Sequence, residues 1–267
     1  MRLIKISDET ERADGIRYIS AALKNVISET GGAISEKYSG DRAELKIKIP
    51  ERFVDYIRSE AEDKIADVVA VGYKYDYFKK DIPASGLKDF EREILYSALI
   101  AADIDEDKRY IVKRTRIFDE YVIDGIFNFR LAPLRHKWEE ITGYIPLVFT
   151  DKQLREFVRY LVGEKRSKKA IVQGGRVYDG NYNLLERSKL LPALPGRSEG
   201  NILREVILSA SGRVEIGSEI PDTDKKYLRD FGDYIEDVKR QFGKRNDANF
   251  TYKELVDLAK EFLEDFR

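Results

Sequence analysis

Ala43-Glu44-Leu45-Lys46-Ile47-Lys48-Ile49 alternates apolar and charged residues without a break, and Pro50 ends the run. Successive side chains on a strand point to opposite faces, so this stretch reads as a strand with one dry face and one wet face. Just upstream, Ser39-Gly40-Asp41 is a turn signal, and Ala33 to Tyr38 supplies the other arm of a hairpin. Further back, Leu3-Ile4-Lys5-Ile6 reads as a first strand, and Asp8 with Glu11 three residues later reads as a helix start. Ile16, Ile19, Leu23, Val26 and Ile27 then share one helical face until Gly31-Gly32 stops it. Beyond Pro50, which suits the first position of a helix, Phe53, Ile57, Ala61 and Ile65 recur every fourth residue. Residues 1 to about 70 therefore predict a β-α-β-β-α unit.

From Leu87 to Arg166 helix signals dominate, with Leu87, Phe90, Ile94, Leu95, Ala98 and Leu99 forming one stripe. Thr150-Asp151-Lys152-Gln153 is a capping box, Phe149 and Leu154 are placed for a hydrophobic staple, and Leu154, Phe157, Val158, Leu161 and Val162 make the expected buried face. Strand character returns at Ala170-Ile171-Val172 and Tyr182-Asn183-Leu184-Leu185, which flank the turn-prone Asp179-Gly180. Leu190 to Gly200, rich in Pro and Gly, reads as a loop, Asn201 to Ala210 as a helix and Arg213 to Ile216 as a strand. Asp224 to Phe242 and a capped segment from Thr251 to Phe266 close the chain as helices. The expectation is an α+β fold: an N-terminal β-α-β-β-α unit, a helical middle and a C-terminal mixed α/β unit. The domain boundary is placed between 83 and 84, giving 1–83 and 84–267.

The 267 residues suffice for a sizeable core, and 42% hydrophobic with 36% charged residues is a folded rather than a disordered composition. No cysteine is present, which removes disulfides, thiolate metal sites and cysteine nucleophiles, and the single His removes most zinc chemistry. No stretch of about 18 apolar residues occurs, and acidic residues follow the short apolar start where a signal peptide would continue. A cytoplasmic protein with no membrane partner, no metal and no cofactor is expected. The net charge of −1 hides an asymmetry, since Lys108 to Arg176 holds 16 basic against 8 acidic side chains.

Asp124-Gly125-Ile126-Phe127-Asn128-Phe129-Arg130-Leu131 resembles the "DGFxNFRL" segment of the YtxC-like sporulation protein family. Arg155 to Val162 is similar to that family's "EFIxLLxYFV" helix, Tyr182 to Leu185 to its "YxLL" strand, and Ile202 to Gly217 to its apolar helix followed by a strand. The similarity covers about residues 90 to 240, and Pro133, Gly143 and Pro146 depart from a longer helical stretch in the family. The resemblance implies a spore-forming bacterium as the setting. It implies no catalytic residue, because the family's molecular activity is unassigned.

Read as a helix, Tyr121 to Leu131 is apolar all round, which predicts a central, buried element with Asp124 and Asn128 on one stripe. Two readings are open: a polar cleft in which Asp124 acts as a base or binds a cation while Arg130 or Arg135 holds an anion, or a buried polar pair satisfied internally. His136 could serve as a general base, yet its charged neighbours read as a solvated helix face. Gln173-Gly174-Gly175-Arg176 lacks the context of a phosphate loop and reads as a bulge or bend. Lys108, Arg109, Lys113, Arg114 and Arg116, followed by Lys165, Arg166, Lys168 and Lys169, form the densest basic clusters. On one face they would neutralise several phosphates, with Tyr110 and Tyr160 for stacking; otherwise they are two solvated faces. The leading expectation is a non-enzymatic binding or regulatory protein with a protein partner. The alternatives are RNA or DNA binding through the basic middle, and an enzyme using Asp124 with nearby arginines.

Overall fold

The computed structural model describes residues 1–116, 120–148, 150, 152–157, 168–193 and 202–216. The expected helices at 224–242 and 251–266, the face residues Val158, Leu161 and Val162, the basic residues Lys165 and Arg166, Tyr160 and the staple residue Phe149 lie outside them. The fold is α+β, and the chain divides into two compact units. The first comprises Met1–Asp76, Ile104–Trp138 and Lys189–Leu191; the second comprises Tyr77–Asp103, Glu139–Ser188 and Pro192–Arg267. Residues 104–138, grouped by sequence with the C-terminal half, thus belong with the N-terminal sheet.

In the first unit β1 (Arg2–Glu9), α1 (Ala13–Glu29), β2 (Ala33–Ser39), β3 (Arg42–Ile49) and α2 (Val54–Asp67) follow the expected β-α-β-β-α order. The hairpin forms where Gly40 takes a positive φ of 59°, and Gly31, at φ 74°, ends α1. β1 pairs antiparallel with β3, putting Ile4 opposite Ile47 and Ile6 opposite Leu45. These residues are fully buried, as are Ile16 and Ile19 of α1, which packs on both strands, and Ile57, Ala61 and Ile65 of α2, which packs on α1. A fourth strand, β4 (Glu120–Val122), pairs parallel with β1, so the sheet order is β2-β3-β1-β4.

Two features depart from the sequence reading. β1 runs on through Asp8, so Asp8 is a buried strand residue rather than a helix cap, and a short 3-10 turn (Thr10–Arg12) precedes α1. Tyr121 to Leu131 is a strand end followed by the helix α5 (Ile123–Arg130), not one central helix. Ile123 and Ile126 are buried, whereas Phe129 is 86% exposed.

After α2 the chain makes a π-helical turn, Val68–Tyr73, before α3 (Lys74–Asp81). The extra residue of a π turn rotates the downstream helix by about 100° relative to the α-helical register. That rotation turns Tyr73 and Lys74 into the core, at 4% and 0% exposure. α4 (Asp89–Thr115) is two helical segments meeting at Asp103, whose backbone is not helical, and α6 spans Ala132–Tyr144.

In the second unit β5 (Lys169–Gln173), β6 (Arg176–Asp179), β7 (Leu184–Leu185) and β8 (Arg213–Ile216) form a sheet of order β7-β6-β5-β8, with β5 and β8 parallel. Gly174 and Gly175, both at positive φ, make the two-residue turn between β5 and β6, which replaces the expected bulge. The capping box is formed: the Gln153 N–H donates to Thr150 Oγ1 at 3.3 Å and the Thr150 N–H to Gln153 Oε1 at 2.9 Å. Arg204, fully buried, donates to the Pro192 carbonyl and pairs with Glu93, while Glu205 accepts the backbone N–H groups of Arg187 and Ser188.

Candidate functional site

β1 and β4 are parallel and end side by side, with α5 starting directly after β4. The carboxyl ends of parallel strands gather groups from several turns, and here they gather Ser7 and Asp8 from β1, Arg12 from the 3-10 turn, Arg42 from β3, Tyr73 from the π turn and Asp124 from α5. The Tyr73 hydroxyl donates to Asp8 Oδ1 at 2.6 Å, and the Glu9 N–H donates to the same oxygen at 2.9 Å. The other oxygen, Oδ2, is buried and has no hydrogen-bond partner. Burial pushes the Asp8 carboxyl from an ordinary 3.8 up to about 6, against the lowering effects of Tyr73, Glu9 and Arg12, and the charge of Asp124 adds to the rise. Burial and the adjacent Asp8 charge raise Tyr73 strongly, so its phenol stays neutral and acts as a donor.

Around this buried acid the charges are matched. Arg42 donates to Asp124 Oδ1 at 2.8 Å and to Ser7 Oγ at 2.9 Å. Arg12 lies over the Tyr73 ring at 3.9 Å and pairs with Asp76 at 2.6 Å. Asp124 is therefore paired as expected, but by an arginine 82 positions upstream rather than by Asn128, Arg130 or Arg135, and its side chain keeps 20% exposure. Arg135 instead donates to the Asn128 carbonyl at 2.9 Å and lies over the Phe127 ring. Asn128 and Arg130 are exposed beside Phe129.

Phe127 links this centre to a second buried one. Its ring sits 4.6 Å from Tyr73 and 5.9 Å from Trp138, the chain's single tryptophan. Trp138 Nε1 donates to Asp107 Oδ2 at 2.9 Å, Lys74 pairs with the same oxygen at 2.7 Å, and Lys137 reaches Oδ1 at 2.8 Å. Asp107 and Lys74 are fully buried side chains, so α5 rests on an ion-paired floor.

Of the basic clusters, Arg109, Lys113, Arg114 and Arg116 are exposed at the end of α4, in the first unit. Lys108 is not available in the way expected: it is paired with Asp63 and Asp67, each at 2.8 Å, with 13% of its side chain exposed. Burial opposes it, but Lys108 and Lys64 still hold Asp63 below its ordinary value. Lys168 is exposed and Lys169 pairs with Glu215 at 2.6 Å, both in the second unit. His136 lies on an exposed stretch of α6.

Asp8, Arg42 and Tyr73 were missed by sequence reasoning. The signal for Asp8 was the strand period, since Ile4, Ile6 and Asp8 alternate onto one face. Among the described residues no group of three or more His, Asp or Glu could hold a metal ion, and no helix is long and apolar enough to cross a membrane. No family model, curated protein or solved structure matches this chain.

Proposed function

We propose that the protein is a cytoplasmic, non-enzymatic binding or regulatory protein that docks a protein partner on the end of α5, in the sporulation setting implied by its resemblance to the YtxC-like family. The observation that supports the reading is Phe129, 86% exposed at the end of a helix whose other apolar residues are anchored. A large exposed aromatic flanked by the exposed Asn128 and Arg130 offers a side chain that a partner's pocket could bury. It also lies within the segment that carries the resemblance. The charged groups around Asp8 are mutually engaged, and they serve to seat the helix.

Phe129→Ala removes the anchor without touching the core. Extracts of a sporulating bacterium passed over immobilised protein should give partners retained by the parent and lost, by tenfold or more, with Phe129→Ala, while the two proteins melt alike. Equal retention by both would refute docking at α5.

The exposed arginines and lysine of α4 favour a second reading, nucleic-acid binding. Four phosphate contacts would give a slope of about −3.6 in log affinity against log salt, or roughly a hundredfold loss over a fourfold rise in salt. Fluorescence anisotropy with a labelled oligonucleotide measures it, and a slope near zero would set this reading aside.

A further inference from the structure

The docking reading leaves open what governs α5, and the groups beneath it answer that. Asp8 is a fully buried carboxyl with one oxygen bound by Tyr73 and Glu9 and the other bound by nothing. Tyr73, which carries that bond, packs its ring directly on Phe127 of α5. Asp124, in the first turn of α5, lies close enough for its charge to act on both Asp8 and Tyr73. One buried group is thus joined to α5 by a packing contact and by a like charge.

We propose that Asp8 is a proton-controlled latch on α5: with the proton bound, the helix is held on Tyr73, and with the proton lost, the buried charge and its repulsion of Asp124 loosen the first turns of α5 and the Phe129 display with them.

Each charged or titratable group facing Asp8 fits this role. Arg12, from the 3-10 turn, favours ionisation but is held by Asp76 of α3 and by the Tyr73 ring. Arg42, from β3, is committed to Asp124 and Ser7. Tyr73, from the π turn, is kept neutral by burial and by the adjacent Asp8 charge, and donates to Asp8 Oδ1 at 2.6 Å. Among the described residues no group supplies the second oxygen with a donor, so the ionised form is left with an uncompensated buried charge. Such a charge is relieved by local opening, in which the carboxylate reaches water. The elements it would open, β4 and α5, are short, and among the described residues β4 pairs with one strand, β1.

The latch rests on the docking reading for its purpose but not for its test. Amide hydrogen exchange of residues 123–127 is followed by mass spectrometry from pH 5 to pH 7.5, corrected for intrinsic rates, in a His136→Gln background that removes the one imidazole. If the open form titrates as an ordinary aspartate, protection of these amides should fall about tenfold between pH 5 and pH 7. Asp8→Asn, which is uncharged, should abolish that fall, and Asp124→Asn, which removes a charge that raises the Asp8 carboxyl, should make it smaller and complete at lower pH. Protection independent of pH, or a fall that persists in Asp8→Asn, would overturn the latch. Neither result requires a partner, so failure here leaves docking at Phe129 standing, and failure of the capture experiment leaves the latch standing.

Discussion

Replacing Asp107 with alanine is expected to destabilise the protein by about 3 to 5 kcal/mol, a large share of the stability of a domain of this size. Asp107 is fully buried and holds the ammonium of Lys74, itself fully buried, at 2.7 Å. It also accepts from Trp138 Nε1 and pairs with Lys137. Removing the carboxylate takes a 2.7 Å partner from a fully buried cation and an acceptor from Trp138 and Lys137, which costs far more than the net worth of the pair. The physical consequence is more than stability, because Phe127 packs against Trp138 and α5 rests on that contact. Denaturant melts followed by the fluorescence of Trp138 give the stability and the local environment together. A loss below about 1 kcal/mol would mean that Lys74 finds water or another anion. Replacing both Lys74 and Asp107 with apolar residues of similar volume should restore most of the loss.

Asp8→Asn is expected to act in the opposite direction, stabilising the protein at neutral pH. The sign comes from linkage. The folded-state carboxyl titrates at about 6 and the unfolded one at an ordinary 3.8, so between these values the folded protein binds more protons. Stability from this group is therefore fully present below about pH 4, declines as pH rises to about 6, and stays low above it. The difference corresponds to about 3 kcal/mol at neutral pH, at about 1.4 kcal/mol for each pKa unit. Asparagine removes the charge but buries an amide N–H group in place of an oxygen that had no partner, so a gain of about 1 to 3 kcal/mol is expected near pH 7. Near pH 4 the two proteins should be almost equal. Melting the pair across that range isolates Asp8 from every other carboxylate, and a variant less stable than the parent at pH 7 would show that Asp8 is ionised and well satisfied in the fold. A residue that costs stability at the working pH fits a functional role better than a structural one.

What the sequence made legible is local. The alternation of Leu45, Ile47 and Ile49, the turn at Gly40, the stop at Gly31 and the capping box of Thr150 and Gln153 each depend on residues a few positions apart, and each is present. The candidate site is non-local. Asp8 meets Tyr73 across 65 positions, and Arg42 meets Asp124 across 82. A polar residue at the tip of a strand looks like a helix cap until the strand is known to continue past it. β4 has only three residues in which to show alternation, and its parallel partner begins more than a hundred residues earlier. Phe129 misled for a related reason: eight residues make about two turns, so an apolar side chain off the anchored face has no second neighbour to cover it. The inward turn of Tyr73 and Lys74 comes from the π turn, which the run Val68-Val69-Ala70-Val71 gives no local reason to expect.

The claim on which both the latch and the stability difference rest is that Asp8 exchanges its proton near neutrality because it is buried with one oxygen unsatisfied. Carbon-detected NMR of the Asp8 side-chain carboxyl, assigned by comparison with Asp8→Asn, measures this directly in the folded full chain. A midpoint close to 6 is the predicted result; a midpoint at or below the ordinary aspartate value of about 3.9 would contradict it, and the polar centre beneath α5 would then be a permanently ionised brace.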